Sequence, residues 1–213
     1  MPRPVFLSLD GLDGTGKSTQ CRLLVEWLTA QKVPVTACTD PGGTALGQEL
    51  RKLLLFGHEH RIAPRTEALL FMASRAQLVD EVIGPALARG EVVVSDRFLL
   101  ANVVYQGHAG GLSESALWQV GAFSTGNLEP DLTLVFDLPP EIAVARRTRE
   151  ADRMESRGAD YFTRVRTGFT YEAGMRPDRF RLIDAAPDPD AVQKVVRREV
   201  ARVLTAHGWN VQE

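Results

Sequence analysis

The chain has 213 residues, 44% hydrophobic and 24% charged, with a formal net charge of -2 and two cysteines. That length and balance suit one soluble globular domain with a substantial core. They supply no electrostatic field to recruit a nucleic-acid polymer or an anionic membrane.

No apolar run approaches the roughly 18–20 residues that a membrane span requires. The start, "MPRPVFLSLDG", carries no apolar segment followed by a cleavage signal, so the expected location is the cytoplasm. Cys21 and Cys38 have neither metal-ligand spacing nor a disulfide framework and read as thiols in a reducing compartment.

In chain order, "VFLSLD" reads as a first strand, followed by a glycine-rich loop. A helix follows from Lys17 to about Ala30, with Leu23, Leu24, Trp27 and Leu28 on its apolar side. "VPVTAC" is a second strand. After the turn-like "DPGGT" come a helix through "ALGQELRKLLL" and a longer one that starts at Pro64 and runs through "RTEALLFMASRAQLVDEVIGPALA". "EVVVSD" has the continuous apolar character of a strand buried on both faces. "LTLVFDLP" is the fourth strand, with a helix beginning near Pro139 or Pro140. "FRLIDA" is the fifth strand, and Pro189 to about His207 the last helix. Strands alternating with helices predict βαβ crossovers and a three-layer α/β/α fold around a parallel five-stranded sheet, in a single domain over residues 1–213.

The loop "GLDGTGKST" carries the chemistry. Gly11, Gly16, Lys17 and Ser18 match G-x-x-x-x-G-K-[ST] between a predicted strand and a predicted helix, the context a phosphate loop requires. Backbone N–H groups of Gly11, Leu12, Asp13, Gly14, Thr15, Gly16, Lys17, Ser18 and Thr19 can cradle phosphates over the helix N-terminus. Lys17 can reach the β- and γ-phosphates of ATP, and the Ser18 hydroxyl can hold Mg²⁺. A helix-capping glycine turn is the plainer alternative.

Asp96 falls at the carboxyl end of "VVVSD", the side on which open α/β sheets bind ligands. There it can hold Mg²⁺ or, with Arg97, orient a phosphate-bearing substrate; as a plain cap it would only start the next helix. "ARRTREADRMESRG" has arginine as its only base. Such a run forms either a solvated, salt-bridged helix or a lid, over about 146–158, that closes over ATP and excludes water. "LLFMASRAQ" sets Phe71 and Arg75 at i and i+4 on one helix face, an aromatic plate beside a guanidinium. A core phenylalanine with a surface arginine explains that pair as simply.

Taken together, these stretches resemble the thymidylate kinase family. "DGLDGTGKST" resembles E-G-[IL]-[DE]-G-x-G-K-[ST]-T, and "DPGG" the R-E-P-G-G turn. "LLFMASRAQ" is similar to L-L-F-x-A-x-R, and "SDRFLLANVVYQG" to D-R-Y-x-x-S-x-x-A-Y-Q-G. "ADRMESRGADYFTRVRTGF" looks like D-R-x-E followed by F-x-x-x-V-R-x-G-[YF].

The resemblance implies the nucleoside monophosphate kinase fold. It implies transfer of the γ-phosphoryl of ATP to dTMP with Mg²⁺, and a homodimer. It implies Asp13 near the acceptor's 3′-hydroxyl and phosphate, Asp96 with Ser18 in the magnesium network, and Arg97 on the acceptor phosphate, helped by Asp40 and Pro41. It also implies Phe71 stacked on thymine, Arg75 on its O4, and Tyr105 with Gln106 closing the sugar and base side. Family members without an arginine in the phosphate loop place the assisting arginines in the lid. Gly14 stands at that loop position here, and Arg147, Arg149 and Arg153 are available.

Several positions depart from the family pattern. Thr39 replaces an arginine before "DPGG". Asp40 and Asp10 replace glutamates. Ala101 and Asn102 stand where a serine and a small residue are usual, with Asn102 able to supply the lost hydrogen bond. A kinase with another acceptor, or a non-catalytic nucleotide-binding module, is the competing reading. For the dimer, the candidate surfaces are the helices "ALLFMASRAQLVDEVI" and "SALWQVGAF", although core packing accounts equally for Trp118 and Phe123.

Overall fold

The structure, a computed structural model, describes residues 2–57, 61–147, 153–154 and 157–212. Five strands, β1 (Val5–Gly11), β2 (Val35–Thr39), β3 (Val92–Asp96), β4 (Leu132–Asp137) and β5 (Phe180–Asp184), form one sheet in the order β2-β3-β1-β4-β5. Every pairing is parallel. β1 and β3 are continuous apolar runs because both faces are covered.

Alternation along β1 assigns those faces. Val5, Leu7 and Leu9 join Val92 and Val94 in a core shared with α1 (Lys17–Ala30) and α9 (Pro189–Ala206). Phe6 and Val93 face the other way, against α3 (Pro64–Leu78), α4 (Gly84–Ala88), α5 (Leu99–Asn102) and α6 (Glu114–Ser124). α2 (Ala45–Phe56) packs on α3, and α7 (Pro140–Ala145) on α8 (Ala159–Met175). The three-layer expectation therefore holds.

The five expected strands and the helices beginning at Lys17, Ala45, Pro64, Pro140 and Pro189 are present. The long helix from Pro64 passes through a widened π turn at Val79–Ile83, where the Gly84 N–H reaches back to the Val79 carbonyl. Pro85 follows at once; its ring cannot sit in a regular α ladder, and the wide turn accommodates it. A second π turn, Val103–His108, extends α5. α8 was not anticipated. No helix among the described residues is long and apolar enough to cross a membrane.

Candidate active site

β1 ends at Gly11 and α1 begins at Lys17, so residues between them wrap over the α1 N-terminus, where free N–H groups and the helix dipole favour anions. Two glycines in this wrap are required sterically. At Gly11 (φ 137°) a Cβ would lie 2.5 Å from the Phe136 carbonyl oxygen, and at Gly14 (φ 92°) 2.0 Å from that of Ala143.

Lys17 Nζ donates to the Leu12 carbonyl at 2.5 Å, and Thr15 Oγ1 donates to the same oxygen at 2.8 Å. Burial, reinforced by the nearby Arg97 charge, pushes the Lys17 ammonium down to about 8. The Ser18 hydroxyl donates to Asp96 Oδ2 at 2.6 Å, joining the two expected metal-binding oxygens. Of the expected loop residues, Asp13, Gly14, Gly16, Lys17, Ser18 and Thr19 line a cleft of about 420 Å³, while Leu12 and Thr15 are buried.

Asp10 does not line this cleft. Its Oδ2 accepts from Ser8 at 2.6 Å, and its Oδ1 is buried with no hydrogen-bond partner among the described residues. Burial pushes its carboxyl up to about 6 against the pull of Ser8, Arg97 and Lys17.

Arg97 follows β3 with φ 73°, a left-handed conformation that costs a non-glycine residue energy and recurs at ligand sites. It aims the guanidinium back at the loop. Nη1 donates to the Gly11 carbonyl at 2.9 Å, and Nη2 to Asp13 Oδ1 at 2.6 Å. Tyr105 donates its hydroxyl to Asp13 Oδ2 at 3.1 Å, under the same guanidinium. Burial would raise the Asp13 carboxyl, but the charges of Arg97 and Lys17 hold it well below the usual carboxylate range.

Across the cleft, Phe71 is half-buried and lines the wall, while Arg75 is only 2% exposed. This corrects the simpler alternative of a core phenylalanine with a surface arginine. Arg75 Nε donates to Asp40 Oδ2 at 2.5 Å and Nη1 to Asn102 Oδ1 at 3.1 Å. Asn102 Nδ2 donates to Gln106 Oε1 at 2.8 Å, so both ends of the Asn102 amide are engaged. The Asp40–Pro41 peptide is cis, and both residues line the cleft. Arg51, which sequence reasoning missed, lines it too and donates from Nη1 to the Pro41 carbonyl at 2.8 Å. Thus α2 brings a second guanidinium, beside that of Arg75, to the turn that Thr39 precedes. Nothing in the local sequence distinguishes Arg51 from its neighbour Lys52, since only the docking of α2 selects it.

The arginine run divides. Arg146 donates to the carbonyls of Ala185 and Ala186 at 2.8 and 2.9 Å. Arg147 Nε donates to the Asp13 carbonyl at 3.4 Å, with its guanidinium 5.0 Å from the centre of the Phe162 ring. Both line the cleft. Arg153, expected beside the phosphates, instead donates from Nε to the Leu54 carbonyl at 2.7 Å and pairs with Glu67 at 2.7 Å. Arg149 lies outside the described residues. α7 ends at Ala145 and α8 begins at Ala159. The described arginines between them, Arg146, Arg147, Arg153 and Arg157, are not helical.

This cleft, with a glycine loop at one side and an arginine-bearing wall at the other, can be set beside known proteins. A model of the family described as "Thymidylate kinase" matches residues 9–196. The chain belongs to the thymidylate kinase family. It is 46% identical over 201 residues to the thymidylate kinase of Symbiobacterium thermophilum, covering 94% of each chain. It is 42% identical to that of Kosmotoga olearia, covering 96% of this chain and 99% of the relative. Among solved structures it resembles thymidylate kinase from Ehrlichia chaffeensis, with a TM-score of 0.77, 27% identity, and 93% and 99% of the two chains covered. The five-stranded parallel sheet is that of a nucleoside monophosphate kinase, and family membership makes this chain a kinase.

Proposed function

We propose that this protein transfers the γ-phosphoryl group of ATP to the phosphate of dTMP, forming dTDP and ADP. The observation that carries this reading is that one cleft holds both sets of groups. Lys17, Ser18 and Asp96 stand at one side, and Arg97, Asp13, Phe71 and Arg75 at the other. Its reading as dTMP rather than another acceptor is supported by family membership and the curated relatives.

The acceptor phosphate is already a nucleophile, so no strong base is needed. The protein's work is alignment and charge neutralisation. Lys17 neutralises the β- and γ-phosphates from beneath. Arg97, braced by Asp13 and the Gly11 carbonyl, presents its remaining donors to the acceptor phosphate. Tyr105 holds Asp13 toward the acceptor's sugar. Phe71 supplies a stacking face and Arg75 a donor for a base carbonyl. Arg147 adds positive charge near the loop, where Gly14 supplies none.

The oxygens of Ser18 and Asp96 fit Mg²⁺, a hard cation that takes one or two protein oxygens and otherwise water and phosphate. When bound, the ion neutralises charge on the transferring phosphates. The substrates are soluble nucleotides, which supports a cytoplasmic enzyme, and the single sheet among the described residues supports one domain. Exposed Leu69 on α3 and exposed Val120 and Phe123 on the adjoining α6 support a homodimer. Phe123, at 88% exposure, is not explained by core packing.

The decisive experiment supplies ATP and Mg²⁺ with dTMP, dUMP, dCMP, dGMP or thymidine and follows ADP. dTMP should turn over fastest. Absence of ADP with every acceptor would overturn the enzyme reading, and preference for thymidine would overturn the acceptor.

A further inference from the structure

A second cavity, of about 380 Å³, lies between α5, α6 and the turn that joins α8 to β5, and shares no lining residue with the active-site cleft. Its mouth is open at the exposed Glu129, Met175 and Asp178. Its inner wall is apolar, with Phe98, Leu100 and Phe180 all buried. That size and lining suit one small organic molecule held by a few polar groups.

The inner wall carries one charge. Asp10 lines it, fully buried, on the β1 face that also bears Phe6 and Ser8. Ser8 occupies Oδ2 at 2.6 Å, and Oδ1 has no hydrogen-bond partner among the described residues. A buried carboxylate oxygen without a donor is costly, and burial accordingly pushes this carboxyl up to about 6. The two guanidiniums of the cavity are engaged elsewhere. Arg179 pairs with Glu129, and Arg176 Cζ lies 3.9 Å from the centre of the Trp118 ring. With Asp10, Glu129 and Asp178 against Arg176 and Arg179, the lining holds one more carboxylate than guanidinium.

We propose that this cavity is a second ligand site, for a small flat organic cation, an aromatic amidinium or amine, whose apolar body lies among Phe98, Leu100 and Phe180 and whose N–H donates to Asp10 Oδ1. The positive charge offsets the excess carboxylate, and the donor meets the one polar atom of the inner wall that lacks one. Because Asp10 is fully buried, the donor must reach the inner end of the cavity, which excludes cations on a bulky, branched body.

The site adjoins the phosphate loop in the chain. Asp10 precedes Gly11, whose carbonyl accepts from Arg97 at 2.9 Å, and the charges of Arg97 and Lys17 both act on Asp10. Phosphates bound in the cleft offset those charges, so a filled cleft favours a cation at Asp10 rather than competing with it.

The test uses benzamidine as the probe, titrated into the full chain and followed by ligand-observed nuclear magnetic resonance. The wild type should bind it, and no more weakly when dTMP and a non-hydrolysable ATP analogue fill the cleft. Benzamide, of the same shape but neutral, should bind at least about tenfold more weakly, the size of one charge-assisted hydrogen bond. Asp10→Asn keeps an acceptor for Ser8 but removes the charge, and should weaken benzamidine by a similar factor. Leu128→Trp, at a half-buried position on the wall, should fill the cavity and abolish benzamidine binding while leaving affinity for the ATP analogue unchanged.

No binding by the wild type, displacement by the two nucleotides, equal affinity for benzamide, or unchanged affinity in a folded Asp10→Asn protein would each overturn the proposal. Should Asp10→Asn fail to fold, binding retained in Leu128→Trp does so. The outcome is independent of the acceptor assigned above, because neither Asp10 nor Leu128 lines the active-site cleft.

Discussion

Gly14 and Ala143 approach so closely that a Cβ on the glycine would lie 2.0 Å from the Ala143 carbonyl oxygen. α7 is therefore packed directly onto the phosphate loop, and the loop's φ of 92° at this position already disfavours a side chain. Gly14→Ala should cost at least the roughly 1–3 kcal/mol of overpacking and should lower turnover by displacing the loop. Thermal unfolding with a parallel activity assay checks it, and a wild-type melting temperature would mean that α7 yields freely. The same contact explains why assisting positive charge reaches the loop from Arg147, just beyond α7, rather than from position 14.

The Lys17 ammonium, held down to about 8 by burial and by Arg97, makes ATP capture pH-dependent. Its folded value lies below the ordinary 10.5, so its contribution to stability is present above about 10.5 and lost as pH falls through about 8. Bound phosphates relieve that cost, so ATP should raise the melting temperature more at pH 7 than at pH 9. For the reaction, kcat/KM for ATP should fall about tenfold per pH unit above pH 8, while kcat holds to higher pH because the bound triphosphate restores the charge. A pH–rate profile flat to about pH 9.5 would contradict this.

Arg75 and Asp40 form a fully buried pair through Asp40 Oδ2, and Asp40 Oδ1 has no hydrogen-bond partner among the described residues. Arg75→Met leaves an uncompensated buried carboxylate and should destabilise the fold by about 3–5 kcal/mol in urea unfolding. Burial raises the Asp40 carboxyl against the pull of Arg75. A raised acid contributes most stability at low pH and loses it as pH rises, so the deficit of the variant should shrink in acid. A deficit independent of pH would show that packing, not charge, is what was lost.

Phe123, at the end of α6, should anchor the self-association surface with Leu69 and Val120. Phe123→Glu places a charge in that apolar patch and should shift sedimentation from dimer to monomer with little change in melting temperature of the monomeric unit. Unaltered sedimentation of a dimer would move the interface elsewhere, and a monomeric wild type would overturn the proposed homodimer.

The strands, the glycine loop and most helix starts were legible because each has a local cause. Buried parallel strands are unbroken apolar runs, the loop has a fixed glycine spacing, and Pro64, Pro140 and Pro189 each stand at a first helical position. α8 was not legible in the same way. Its apolar residues Tyr161, Phe162, Val165 and Phe169 keep helical spacing, but arginines at 157, 164 and 166 merge it with the charged run before it.

By itself, then, the sequence determined which groups stand as candidates for the phosphates and the acceptor: Gly11, Gly16, Lys17 and Ser18 at one spacing, Asp96 and Arg97 at a strand end, Phe71 and Arg75 on one helix face. These patterns are short-range, and backbone periodicity enforces them. Only the tertiary structure decided what each group does with its charge. Arg75 is tied down at the cleft wall because Asp40, 35 positions away in the chain, meets it; Arg51 lines the cleft because α2 docks on the turn; and Arg153 turned to Glu67 rather than the cleft. Charge pairing acts across a few ångströms of space between residues remote in the chain, and no local pattern records which partner a guanidinium will meet.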